Sequence, residues 1–336
     1  MNGRNARIDL FLAESGWAGA ERRHLAADAS FRRYERVSHQ GRQAVLMDAP
    51  PPHEDVRPFL AVTAILRGLG LSAPAVLARD VELGTLLLED LGDDTFTKLL
   101  ARGEAEEPLY ALAIDLLAEL HRRFVPSAEA APPVYDEERL LAEALLLPDW
   151  FLPAVTGRET APEIRESYAE AWRRVLPAAA GAPATLVLRD YHVDNLLRLD
   201  GRTGVAACGL LDFQDAVIGP SSYDVVSLLE DARRDVGDAL ASAMIERYLR
   251  YFPELGREAF LESYAVLGAQ RAAKIAGIFT RLDRRDGKKQ YLPHIARVWR
   301  LLDRGLCHPI LAPVATWMET HVPPGLRRSP PPLETA

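Results

Sequence analysis

Apolar positions change rhythm along this chain. Arg7 to Glu14 sets Ile8, Phe11 and Leu12 on one side of a short helix that should end near Gly16. The spacing then tightens into short runs, Arg23 to Ala27, Tyr34 to Ser38 and Gln43 to Met47, parted by turn signals such as His39-Gln40-Gly41. That pattern predicts an antiparallel meander. Helical spacing returns from Asp55 to Leu69 through Val56, Phe59, Leu60, Thr63 and Leu66, and Val76 to Asp80 and Thr85 to Leu88 would complete the sheet. Beyond Leu91 helical repeats dominate: Leu109 to His121, Glu138 to Leu147, Ile164 to Leu176, Ala239 to Tyr251, Glu258 to Phe279 and Tyr291 to Leu306. The basic run Arg281 to Lys289 reads as the loop joining the last two, and the Pro-rich stretch after His321 as an extended or disordered tail. The class is therefore α+β: a small antiparallel sheet lobe with one main helix over residues 1–90, a larger, mostly helical lobe over 91–322, and a tail over 323–336.

The middle of the chain carries the candidate chemistry. A buried run, Ala184 to Leu188, leads into Arg189-Asp190-Tyr191-His192-Val193-Asp194-Asn195, and a hairpin is expected from Asn195 to Leu199, a turn at Asp200-Gly201, and Val205 to Leu211, ending on Asp212. An aspartate, an asparagine five positions later and a second aspartate at a strand end form the order that phosphoryl transfer requires in kinase-like folds. Moving a phosphoryl group brings a polyanion beside a hydroxyl, so metal ligands are needed on one side and a proton acceptor on the other. Asp190 is the candidate acceptor, and Asn195 and Asp212 supply the hard oxygen ligands that suit Mg²⁺. Asp194 and Asp215 are rivals that more readily cap turns or touch substrate.

The segments Leu188 to Asn195 and Leu210 to Asp224 resemble the aminoglycoside phosphotransferase and choline kinase superfamily. Within it, Asp28 to Tyr34, Leu46 to Pro51, Leu87 to Asp93 and Ser227 to Val236 resemble the anomeric amino-sugar kinases of bacterial cell-wall recycling. The resemblance implies a bilobal protein-kinase-like fold, ATP and Mg²⁺ as cofactors, and transfer to the C1 hydroxyl of N-acetylmuramate or N-acetylglucosamine. It also makes the turn Asp28 to Arg33 the phosphate loop, with Ser30, Phe31, Arg32 and Arg33 as nucleotide contacts. That loop holds no glycine, and the third strand offers Met47 or Asp48 where protein kinases carry a lysine. Arg32 or Arg33 is expected to substitute, since a guanidinium suits phosphate oxygens. Leu88, Glu89 and Leu91 would flank the base where the lobes join, and Asp224 would stiffen the Asp190 loop through its backbone. Acceptor contacts are expected from His192, Asp215, Glu230, Arg233, Arg271 and Lys274, because each sugar hydroxyl removed from water must be matched.

Composition narrows the partners. A net charge of −8 argues against nucleic acid, which calls for a basic face. Cys208 and Cys307 sit in apolar surroundings without ligand spacing, which reads as two buried thiols in a reducing cytoplasm. Charges interrupt the N-terminal apolar residues and no uncharged run reaches spanning length, so neither an export signal nor a membrane segment is expected. A different small alcohol or aminoglycoside acceptor, or a non-catalytic nucleotide-binding regulator, are the competing functions.

Overall fold

The computed structural model describes residues 2–27, 31–126 and 132–331 of the 336. Two compact units emerge, and both are discontinuous: one takes the chain up to Arg123 together with Val193–Ala216, the other Pro133–His192 and everything from Val217 onward. The position near residue 90 lies inside the first unit, where the helices Phe96–Ala101 and Glu106–Arg123 pack with the segment that returns at Val193–Ala216.

The chain begins with α1 (Asn2–Glu14), followed by β1 (Glu21–Ala27), β2 (Arg33–His39), β3 (Arg42–Asp48), α2 (Arg57–Gly68), β4 (Val76–Asp80) and β5 (Thr85–Glu89). The strands form one antiparallel sheet in the order β1-β2-β3-β5-β4. Ile8, Phe11 and Leu12 of α1 and Trp17 close over Val37, Ala44, Leu46 and Leu87, which is why these alternate positions are apolar. Next come α3 (Phe96–Ala101), started by the Thr95 hydroxyl accepting from the Lys98 N–H at 3.3 Å, and α4 (Glu106–Arg123).

The second unit opens with α5 (Glu137–Ala144), capped by Asp136, a π-helical turn at Leu147–Phe151, α6 (Leu152–Thr156), α7 (Pro162–Val175) and β6 (Ala184–Val187). The chain then returns to the first unit as the hairpin β7 (Leu196–Arg198) and β8 (Cys208–Leu210). Ser72 anchors that hairpin, its carbonyl accepting from the Leu210 N–H at 3.0 Å and its hydroxyl donating to the Ala206 carbonyl at 2.6 Å. Phe213 stacks on Phe59 of α2 with ring centroids 5.0 Å apart. Back in the second unit, β9 (Val217–Pro220) pairs with β6, and α8 (Ser222–Leu229), α9 (Asp238–Arg250), α10 (Arg257–Asp286), α11 (Ile295–Leu306) and α12 (Ala312–His321) complete the chain. The 30-residue α10 forms the spine of a core containing Phe151, Tyr168, Trp172, Trp299 and Trp317.

Three expectations need correction. The basic run is not a loop: α10 continues through Arg281 to Asp286, with Leu282 and Asp283 buried, and ends at Gly287 with φ of 68°. Charge density on a helix face is solvated readily, and the left-handed glycine is what stops the helix. Residues 322–331 are not loose, since Val322 is fully buried, Arg327 pairs with Asp303 at 2.6 Å, and Ser329 donates to the Leu292 carbonyl at 2.9 Å; the rest of the expected tail, 332–336, lies outside the described residues. Cys307 is exposed, although Cys208 is buried.

Candidate functional site

The candidate residues divide between the units, and each half is built by its own elements. In the first unit, β7 and β8 pair Leu196 with Leu210, and the Asn195 carbonyl accepts from the Leu211 N–H at 2.9 Å. That register sets Asn195 opposite Leu211, one residue before Asp212, at the open end of the hairpin. Asp212 has φ of 54°, a left-handed conformation that costs a non-glycine residue about 1–3 kcal/mol and is typical of functional positions. Gln214 bridges its carboxylate, at 2.9 Å, to that of Asp215, at 3.3 Å, so Asp215 stands beside the metal-ligand candidates.

Arg32 reaches the same place. Its guanidinium lies 3.7 Å from Asp212 Oδ1 and 3.8 Å from Glu54 Oε2, and the residue is only 9% exposed. Arg33 is exposed and sits opposite Asp48 in the β2–β3 register. On the third strand, Met47 is buried in the sheet and Asp48 holds Arg4 at 2.5 Å, so neither position offers a cation. The structure thus favours Arg32 over Arg33 as the charge beside Asp212. Phe31, 63% exposed, stacks on His53 at 4.8 Å, and its N–H donates to Glu54 Oε1 at 3.0 Å. Ser30 lies outside the described residues.

Around the linker, Leu88 is buried within β5. Glu89 is engaged twice with Ala75: its N–H donates to the Ala75 carbonyl at 2.8 Å, and its carboxylate accepts from the Ala75 N–H at 3.0 Å and also pairs with Arg202. Its N–H is therefore not available to a nucleotide base. Leu91 lines a cavity of about 350 Å³ bounded by residues 89–94 and 198–202.

In the second unit, β6 delivers Leu188 to His192. Asp224, fully buried on α8, accepts from the Leu188 N–H at 2.6 Å and the Arg189 N–H at 2.9 Å, and the Ser227 hydroxyl donates to the Arg189 carbonyl at 3.0 Å. These bonds hold Arg189 at φ of 70°, immediately before Asp190. Burial, only partly offset by the two N–H groups, pushes the Asp224 carboxyl up to about 7.

Asp190 keeps solvent access at the end of this turn. Desolvation by surrounding protein raises its carboxyl, but the charges of Lys274, His192, Arg271 and Arg189 outweigh that and leave it below the usual aspartate value. It is ionised at neutral pH, as a proton acceptor must be. His192 is buried, with Nε2 3.3 Å from the Arg233 guanidinium; desolvation and then the Arg233 charge push the imidazole down, so it is neutral near pH 7.

Lys274 donates to Glu143 Oε2 at 2.9 Å and lies 3.4 Å from the Tyr223 hydroxyl. Glu143 also takes the Arg189 guanidinium and the Tyr135 hydroxyl. Glu230 is turned into the α10–α11 packing, where Arg304 at 3.3 Å and the Tyr264 hydroxyl hold it. Asp190, His192, Arg233, Arg271 and Lys274 therefore form one electrostatic group, with Glu230 at its inner edge.

Sequence reasoning missed Glu54 and Glu143. Each is an isolated acid whose partner lies far along the chain, and its only sequence signal is an acid at a helix start or face.

Comparisons place these halves among known proteins. The model of the family described as "Phosphotransferase enzyme family" matches residues 21–261. A Caulobacter vibrioides protein named N-acetylmuramate/N-acetylglucosamine kinase is 36% identical over 368 aligned positions, covering 97% of this chain and 98% of the relative. A Pseudomonas aeruginosa protein of the same name is 38% identical, covering 88% of this chain and 87% of its own. Among solved structures, a choline kinase from Streptococcus pneumoniae shares the fold with a TM-score of 0.64 at 11% identity, covering 90% of this chain and all of its own. With a family match across most of its length and relatives aligned nearly end to end, the chain belongs to the phosphotransferase enzyme family.

Proposed function

We propose that this chain is an ATP-dependent kinase that phosphorylates the anomeric C1 hydroxyl of N-acetylmuramate and N-acetylglucosamine, in the recycling of cell-wall sugars in the cytoplasm. The observation that carries the reading is Asp190, ionised and solvent-accessible, acted on by the cations Lys274, Arg271 and Arg189 in a chain 36% identical to a kinase named for both sugars. A positive acceptor site suits neutral or acidic sugars and opposes polycationic aminoglycosides.

Asp190 orients the anomeric hydroxyl and takes its proton as the bond to phosphorus forms. That hydroxyl is more acidic than an ordinary alcohol because the ring oxygen withdraws electrons, so a carboxylate below the usual range still serves. Asn195 and Asp212 present an amide oxygen and a carboxylate, a hard donor pair that fits Mg²⁺ completed by phosphate oxygens and water. When bound, Mg²⁺ would neutralise charge on the phosphates. Arg32 adds a fixed positive charge beside Asp212, and Asp224 keeps the Asp190 turn in its strained form. His192, Arg233, Arg271 and Lys274 are the acceptor contacts, with Asp215 beside the metal ligands.

Proton and phosphorus NMR of the product formed from ATP and N-acetylmuramate tests the reading. Phosphate on C1 is expected; turnover of neither amino sugar would refute the substrate assignment. Asp190→Asn should lower kcat about 10³-fold with ATP affinity kept within a few-fold, and a fully active variant would remove Asp190 from the chemistry.

A further inference from the structure

Gly268, Arg271 and Lys274 follow one another at three-residue intervals along one face of α10. Glu230 packs onto Gly268, where a Cβ would lie 2.9 Å from its Oε2. At the other end Lys274 is held by Glu143 at 2.9 Å. Arg271 stands between them, 5% exposed, and among the described residues its guanidinium makes no hydrogen bond and no ion pair. Carboxylates act on it through space, yet none closes a hydrogen bond to it, so its donors stay open to an incoming group.

The anions in its vicinity are taken. Asp224 is occupied by the backbone of Leu188 and Arg189. Glu230 is held by Arg304 at 3.3 Å. Asp190 is needed for the acceptor hydroxyl. The other cations of the group already have partners, Lys274 and Arg189 in Glu143 and Arg233 in His192. Arg271 acts electrostatically on Asp190, His192, Asp224 and Glu230 without bonding to any of them.

We propose that Arg271 is a specificity-determining residue of the acceptor site, its guanidinium receiving the carboxylate of an acidic sugar. The assignment rests on the amino-sugar kinase reading and deepens it: N-acetylmuramate carries a lactyl carboxylate that N-acetylglucosamine lacks. A buried arginine binds a carboxylate in bidentate fashion, which a lysine reproduces only as a point charge. The neutral sugar draws on the remaining contacts.

The test compares kcat/KM for the two sugars at saturating ATP in the wild type, Arg271→Met and Arg271→Lys. The ratio of N-acetylmuramate to N-acetylglucosamine should fall by about 10- to 100-fold in Arg271→Met and recover in part in Arg271→Lys. Because both sugars are measured on one preparation, loss of folded protein leaves the ratio unchanged. An unchanged ratio, or a raised KM for ATP as the main effect, would overturn the assignment, the latter by moving Arg271 to the nucleotide phosphates. Should the wild type phosphorylate neither sugar, the kinase reading fails separately, and calorimetric titration with N-acetylmuramate decides the point. Weaker binding to Arg271→Met than to wild type upholds Arg271 as a carboxylate receptor, and equal or absent binding to both rejects it.

Discussion

Arg32 stands beside Asp212, while Met47 and Asp48 of the third strand offer no cation. It arises from the turn before β2 instead of from β3, yet it lies within 3.8 Å of both Glu54 and Asp212, so one cation joins the helix start to the metal-ligand candidate. Arg32→Met should raise the KM for ATP about 10- to 100-fold, the size expected for a lost charge-assisted contact, and Arg33→Met should have a smaller effect. Steady-state kinetics with varied ATP checks this, and equal effects would refute the distinction. Asp224 gives a prediction with a definite sign. Its folded value of about 7 exceeds the unfolded value of roughly 3.9. Between those two values the native state holds a proton that the unfolded state has lost, so the contribution of Asp224 is complete below about pH 4 and falls as pH rises towards 7. The stability difference between wild type and Asp224→Asn, from denaturant unfolding at several pH values, should move against the wild type over that window, and a pH-independent difference would contradict it. The loop that carries Asp190 and the hairpin between Asn195 and Asp212 are legible in the sequence because both are local. Glu54 and Glu143 are not, because an ion pair between distant segments leaves no periodicity behind.

Helices and strands announce themselves where one face is apolar. The sheet strands and α2 lie within a few residues of their expected bounds because alternation and helical spacing are strong there. β9 and α12 escape, the first because Val217–Pro220 runs without a break into the start of α8, the second because prolines and small residues blur its stripe. α10 also depends on a contact that spacing cannot reveal. Gly277 passes so close to the backbone before the π-helical turn that a Cβ would lie 2.3 Å from the Leu146 carbonyl carbon. Alanine gains about 1 kcal/mol in helix propensity, but here it forces two backbones apart. Gly277→Ala should therefore destabilise the protein by roughly 1–3 kcal/mol in equilibrium unfolding. A neutral or stabilising result would mean that the helix shifts freely at this point.

Charge acts on Asp190 from several elements at once, so the acid side of the pH profile belongs to the protein as a whole. Lys274 and Arg271 come from α10, and Arg189 and His192 from the turn after β6. With these in place kcat/KM should stay level from pH 8 down to about 5, because the carboxyl titrates below the ordinary aspartate value of roughly 3.9. Lys274→Met removes the foremost of the cations and should move the acid limb to higher pH. Superimposable profiles would show that Lys274 does not govern the acceptor. The presence of a sheet-rich and a helix-rich part is readable from the change of rhythm along the chain. The path between them is not, since the hairpin Leu196 to Leu210 has the same apolar character whichever neighbours it joins.

That path bears on how the protein is made. Ser72 and Phe59 emerge from the ribosome early, but the hairpin and the aromatic ring that they grip are translated only after the entire stretch through β6. The N-terminal sheet must wait with those groups unmatched while the nascent chain lengthens, and a polypeptide cut at Arg123 would never receive them.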